Sequence, residues 1–131
     1  MEDVSFSYRA KEEIISKINS KPKADVCMMG MLTYCNCLSD DEISFLTENK
    51  AVADFFVLNT GRITGNENAV LVTEQKKRNG VVLYALDIPE REDRLTLLDY
   101  FRMDKSRRLE EADLPKEKFY PQLVAGIFLA C

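Results

Sequence analysis

Histidine is absent from the 131 residues, and with it go the commonest imidazole metal ligand and the general base of the hydrolytic triads. No Cys-x-x-Cys pair supplies a zinc site in its place. Neither the P-loop pattern nor G-x-G-x-x-G occurs, so no glycine-rich phosphate cradle is present and catalysis has no residues to stand on. No apolar run reaches the ~18 residues of a membrane span, and the first twenty residues form a charged helical pattern without the apolar core of a signal peptide. A basic field is missing too. Lys and Arg number 18 against 22 Asp and Glu, a net charge of −4, which is the wrong sign for a strong autonomous nucleic-acid binder.

What remains is a chain with 46% hydrophobic and 31% charged residues, enough apolar material for one globular α+β domain with a sizeable core. Four cysteines without a secretory leader read as reduced thiols in a cytoplasmic protein. Cys27, Cys35 and Cys37 span a helical and an extended pattern, a poor spacing for a metal, and unpaired cysteine packs as a small hydrophobe; no metal or cofactor is expected.

In order along the chain, Ser7 can cap a helix whose Ala10, Ile14, Ile15 and Ile18 make a narrow apolar stripe, an outer helix that ends near Pro22. Ala24 to Asn36 is apolar on every side and predicts a buried helix. Residues 36–38 and 43–48 flank Asp40-Asp41 as a short hairpin, with the two aspartates read as a solvated turn rather than a cation site. Thr47, Glu48 and Asn49 lead into a helix with Val52, Phe55 and Phe56 inward, ended by Gly61. Residues 69–75 and 81–87 are β-rich and joined through Asn79-Gly80, whose residues accept positive φ. Pro89 admits a helix over 90–101 with Leu95, Leu98 and Phe101 as core candidates, and 102–118 is a polar connector.

The last stretch, FYPQLVAGIFLAC at 119–131, is apolar almost without interruption and predicts a buried helix, with Pro121 in its first turn and Gly126 in its middle. Gly30 holds the same place in the 24–36 segment. A glycine inside a helix costs about 1 kcal/mol relative to alanine, so two in matching apolar runs imply two helices crossing closely at those points.

With Gly30 aligned on Gly126, Cys35 falls on Cys131, and VAGIFLAC resembles the LAGLIDADG helix of homing endonucleases. In that family each copy ends in a metal-binding acid. Here Cys35 and Cys131 stand at that place, with Thr33 and Leu129 at the earlier acidic position, so both copies are degenerate. SFSYRAKEEI at 5–14 and TENKAVADFF at 47–56 extend the likeness to the WhiA family of bacterial sporulation and cell-division regulators, in which a nuclease-dead LAGLIDADG domain precedes a helix-turn-helix. The resemblance covers nearly the whole chain. It implies an N-terminal helix over 1–22, a first LAGLIDADG-like half over 23–101 (helix, hairpin, helix, hairpin, helix), a connector over 102–118 and a truncated second half from 119 to 131. It further implies a non-enzymatic, cytoplasmic, nucleoid-associated regulator with DNA as its partner, bound weakly by this fragment alone. Because the second half's sheet is missing, the exposed truncated half offers a surface for a homodimer.

In such a fold the sheet faces DNA. Thr73, Gln75, Lys76, Lys77 and Arg78, on and beside the hairpin tip, become the candidate contacts, because loop-borne cations can reach a phosphate backbone without a helix fitting a groove. Lys105, Arg107 and Arg108 on the connector form a second cluster. Two alternatives stand beside this reading. One is an active homing-endonuclease relative, which the lost carboxylates oppose because phosphodiester cleavage through metal ions needs anionic oxygen ligands. The other is a protein-interaction module that binds no DNA, which the acidic balance favours.

Overall fold

The computed structural model describes residues 6–33, 37–101 and 117–130. Among them run α1 (Phe6–Ser16), α2 (Lys21–Thr33), β1 (Cys37–Leu38), β2 (Ile43–Thr47), α3 (Lys50–Thr64), β3 (Leu71–Lys76), β4 (Val82–Asp87), α4 (Arg91–Tyr100) and, after a 3-10 turn at Glu117–Phe119, α5 (Tyr120–Ala130). The strands form one antiparallel sheet in the order β1-β2-β4-β3, so the two hairpins meet along β2 and β4, with Phe45 opposite Leu86 and Thr47 opposite Tyr84. The fold is therefore α+β, and the sequence of helix, hairpin, helix, hairpin, helix after an outer α1 is the order anticipated from the patterning.

Alternation along the strands decides which face of the sheet is covered. Ile43, Phe45 and Leu86 are fully buried, and the rings of Phe45 and Phe56 stack at 5.3 Å, pinning α3 to the sheet. One core joins this layer to Met28, Met31 and Leu32 of α2, to Leu97 and Leu98 of α4, and to Leu129 of α5. Ile14, Ile15 and Ile18 pack on its margin, and α1 has no fully buried residue, as an outer helix should.

Side-chain hydrogen bonds fix the corners. Asn49 caps α3 by accepting from the backbone N–H groups of Ala51 and Val52, and its own amide donates to the Tyr8 carbonyl, tying α1 to the start of α3. Arg94 is buried and donates through Nε to the Asp40 carbonyl at 2.8 Å, and through Nη1 to the carbonyls of Ile88 and Pro89 at 2.8 and 2.7 Å. The Asp40-Asp41 turn is thus a clamped corner, with Ser39 Oγ accepting from the N–H groups of Asp41 and Glu42.

Several local expectations are corrected. Ser7 lies in the first turn of α1, which already begins at Phe6. Pro22 does not separate two helices but sits in the first turn of α2, where a missing N–H costs nothing and where Ser20 Oγ accepts from the Lys23 N–H. Gly61 does not end α3. The cap is Gly65, at φ 73°, and Gly61 instead gives room to the returning chain, since a Cβ there would sit 3.3 Å from the Glu67 Cα. In α4 Leu95 faces solvent and Leu97 takes its place in the core, because the buried face runs through Arg94, Leu97, Leu98 and Phe101. The helix α5 is not buried all round. Gly126 and Leu129 are covered, whereas Val124 is 63% exposed and Tyr120 and Phe128 stand open beside it.

Candidate nucleic-acid interface

The second hairpin turns through Lys77, Arg78, Asn79 and Gly80. Gly80 N–H donates to the Lys77 carbonyl, Lys77 N–H donates to the Val81 carbonyl, and Asn79 Oδ1 accepts from Val81 N–H. Gly80, at φ 84°, supplies the left-handed position. This is a three-residue connection with a left-handed glycine, one residue longer than the tight two-residue turn that Asn-Gly suggests.

Register then sorts the candidate contacts. Directly opposed residues share a face, so Leu71, Thr73 and Gln75 of β3 line up with Asp87, Ala85 and Leu83 of β4 and with Ser44 and Leu46 of β2, on the face away from the Phe45 and Leu86 core and, among the described residues, left open. Val72, Glu74 and Lys76 belong to the opposite side, with Leu86, Tyr84 and Val82. Thr73 and Gln75 therefore occupy the open face together, and Lys76 does not join them. Lys77 forms an ion pair with Glu48, at the start of α3, which spends part of its charge within the molecule. Lys76 and Arg78 are exposed. Lys105, Arg107, Arg108, Cys35 and Cys131 lie outside the described residues.

The open face differs in chemistry from a phosphate-binding saddle. Its strand positions carry Leu46, Leu71, Leu83 and Ala85, with Leu71 57% exposed, and the one formal charge is the carboxylate of Asp87. Among the described residues of this hairpin, Lys76, Lys77 and Arg78 cluster at and beside the tip. Where β2 ends, a cavity of about 310 Å³ is lined by Ser7, Tyr8 and Lys11 of α1, Leu46 and Leu83 of the open face, and Leu129 and Ala130 of α5, so the end of α5 reaches the border of this face. Lys11 Nζ lies 5.6 Å from the Phe128 ring centre, a cation over an aromatic face that joins α1 to α5.

The helices α2 and α5 cross with their backbones close together at two glycines. A Cβ built on Gly30 would collide with the carbonyl oxygen of Leu123 and lie 2.9 Å from the Ile127 nitrogen; one on Gly126 would collide with the carbonyl oxygen of Cys27 and lie 2.9 Å from its carbonyl carbon. The relation is reciprocal: each glycine meets the carbonyl three residues before the other glycine. Cys27 is fully buried at this crossing, and burial pushes its thiol pKa up to about 12, so it is a packing group rather than a nucleophile.

Two polar constellations had no signal in the sequence. Arg94 looks like any surface arginine of an amphipathic helix. Asp25, Arg62 and Tyr100, far apart in the chain, converge where α2, α3 and α4 meet: Arg62 pairs with Asp25 Oδ1, and Tyr100 donates its hydroxyl to Asp25 Oδ2 at 2.6 Å. Burial and that bond to Asp25 raise the Tyr100 pKa. Beside them a groove of about 640 Å³ runs between α1, the start of α2 and α3, walled by Ile15, Ile18, Phe55 and Leu58, and it shares no residue with the sheet. None of the helices described is long and apolar enough to cross a membrane. No family model, curated protein or solved structure matches this chain.

Proposed function

We propose that this chain is a non-enzymatic, DNA-associated scaffold of the WhiA type, acting in bacterial sporulation or cell-division control. The observation that carries the proposal is the reciprocal glycine crossing of α2 and α5. It supports reading the 24–36 and 119–131 segments as two copies of one helical motif, each degenerate at its terminal acid. DNA contact is weak and independent of sequence, made by the exposed cations of the β3–β4 tip. Titrating fluorescence anisotropy of a labelled duplex against salt tests it. Each phosphate neutralised contributes a slope of roughly −0.9 in log K against log salt, so two or three contacts give a shallow but measurable dependence. The triple change Lys76→Glu, Lys77→Glu, Arg78→Glu abolishes the binding and leaves the fold intact, because the tip adds nothing to the core. Binding unchanged in that variant moves the contact elsewhere.

A second reading, a protein-interaction module, is favoured by the leucine-rich open face and its lack of Lys and Arg. Undetectable duplex binding at low salt would leave that one standing.

A further inference from the structure

We propose that β3 is a dimerisation edge, pairing antiparallel with β3 of a second copy about a two-fold axis at Gln75, so that Glu74 of each copy lies opposite Lys76 of the other. The pairing holds whether or not the chain touches DNA.

The strand order leaves β3 on the rim of the sheet, and all six of its residues are exposed. Lys77 N–H donates to the Val81 carbonyl, which fixes the phase of the ladder. Hydrogen-bonding groups alternate along an antiparallel strand, so Leu71, Thr73 and Gln75 point theirs at β4, while Val72, Glu74 and Lys76 point theirs outward. An incoming strand must present its own outward groups to these three.

For a second copy related by a two-fold axis, that condition allows axes at Thr73, Glu74 or Gln75. An axis at Glu74 sets two carboxylates against each other, which is destabilising. An axis at Thr73 opposes Glu74 with Val72 and leaves both charges of the strand without a cross-strand partner. An axis at Gln75 opposes Glu74 with Lys76 twice over, because the symmetry repeats the pair, and it sets one Gln75 beside the other. A lysine on an edge normally blunts pairing with an arbitrary strand. With Glu74 two residues away on the same side, the same lysine becomes a register selector. The pattern is complementary to itself, which points to a second copy as the occupant.

Analytical ultracentrifugation over a range of concentrations tests this. The parent chain shows a reversible dimer. Glu74→Lys and Lys76→Glu each replace two attractive pairs by two repulsive ones and weaken it roughly tenfold or more, and the double exchange Glu74→Lys/Lys76→Glu restores it. Both positions are exposed, so thermal melts of the three variants stay at the parent value when taken at concentrations where every chain is monomeric. Under oxidising conditions Gln75→Cys gives a covalent dimer that Leu71→Cys does not, since a non-hydrogen-bonded pair at the axis falls within disulfide range. A parent that is monomeric throughout overturns the proposal. So does a dimer that survives both single reversals and dissociates on Val124→Asp, which would place the contact on the open stripe of α5.

Discussion

Replacing Gly126 by alanine pits helix propensity against the crossing of α2 and α5. Propensity alone favours the variant by about 1 kcal/mol, since alanine is the best helix former and glycine among the worst. The added methyl, however, collides with the Cys27 carbonyl oxygen and lies 2.9 and 3.1 Å from the Cys27 carbonyl carbon and Cα, inside the ~3.5 Å at which carbon atoms begin to touch comfortably. These obstructing atoms are backbone. No rotamer change relieves them, and the two helices must part by some tenths of an ångström or more. Overpacking of this kind costs about 1–3 kcal/mol, and a gap of 0.5–1 Å also forfeits roughly a quarter to a half of the dispersion contact along the seam, where Leu129 and Cys27 are fully buried. With the propensity gain of about 1 kcal/mol offset by a dispersion loss of about 1 kcal/mol, the net expectation is a loss of about 1–3 kcal/mol, a fall in Tm of roughly 4–11 °C for a chain of this size. Urea melts followed by circular dichroism measure it. Gly30→Ala loses a similar amount, and the double variant loses less than the sum because the helices part only once. An alanine variant as stable as the parent, or more stable, refutes the close crossing.

Arg94→Met removes the donor to three carbonyls and should cost about 2–4 kcal/mol while speeding amide hydrogen exchange in the turn from Ser39 to Glu42; a loss under ~1 kcal/mol would mean that Arg94 does not clamp that corner. Asn49→Ala loses both cap and tether, about 1–2 kcal/mol, whereas Asn49→Asp keeps the cap acceptor and loses only the donor to Tyr8, so exchange in α1 quickens in both but melting falls mainly in the first. Cys27 keeps its proton in the fold up to about pH 12 against an ordinary value of 9.0, so between those limits the unfolded chain binds fewer protons than the folded one and stability falls as pH rises, by up to about 1.4 kcal/mol per pH unit. Stability measured from pH 8 to 11 should therefore decline more steeply in the parent than in Cys27→Ala, and parallel declines would show that the thiol ionises without unfolding.

Much of the architecture is written in single residues whose cost makes sense only in one setting. Gly30 and Gly126 are expensive within helices, and the expense pointed to the crossing that the backbone contacts show. Asn79-Gly80 placed the hairpin, although it could not set the turn's length, because that depends on how many residues leave the ladder on each side. Hydrophobic patterning located the five α-helices and four strands described, though not the 3-10 turn at Glu117–Phe119, and it misjudged Gly61, whose role is to admit a segment that returns after Gly65. It also misjudged Leu95 against Leu97, since an apolar count does not fix the rotation of α4 until Arg94 is locked onto three carbonyls. The uniform apolarity of 119–131 announced burial, but burial is a property of neighbours, and only one face of α5 has them. The candidate interface divides in the same way. The sequence by itself determined the run Lys76-Lys77-Arg78 and its position on a loop. Strand alternation already set Lys76 on the opposite side from Thr73 and Gln75. Only the tertiary structure decided that Lys77 meets Glu48 and that the open face is leucine-rich, because strand register couples residues that lie tens of positions apart and no local pattern encodes that coupling.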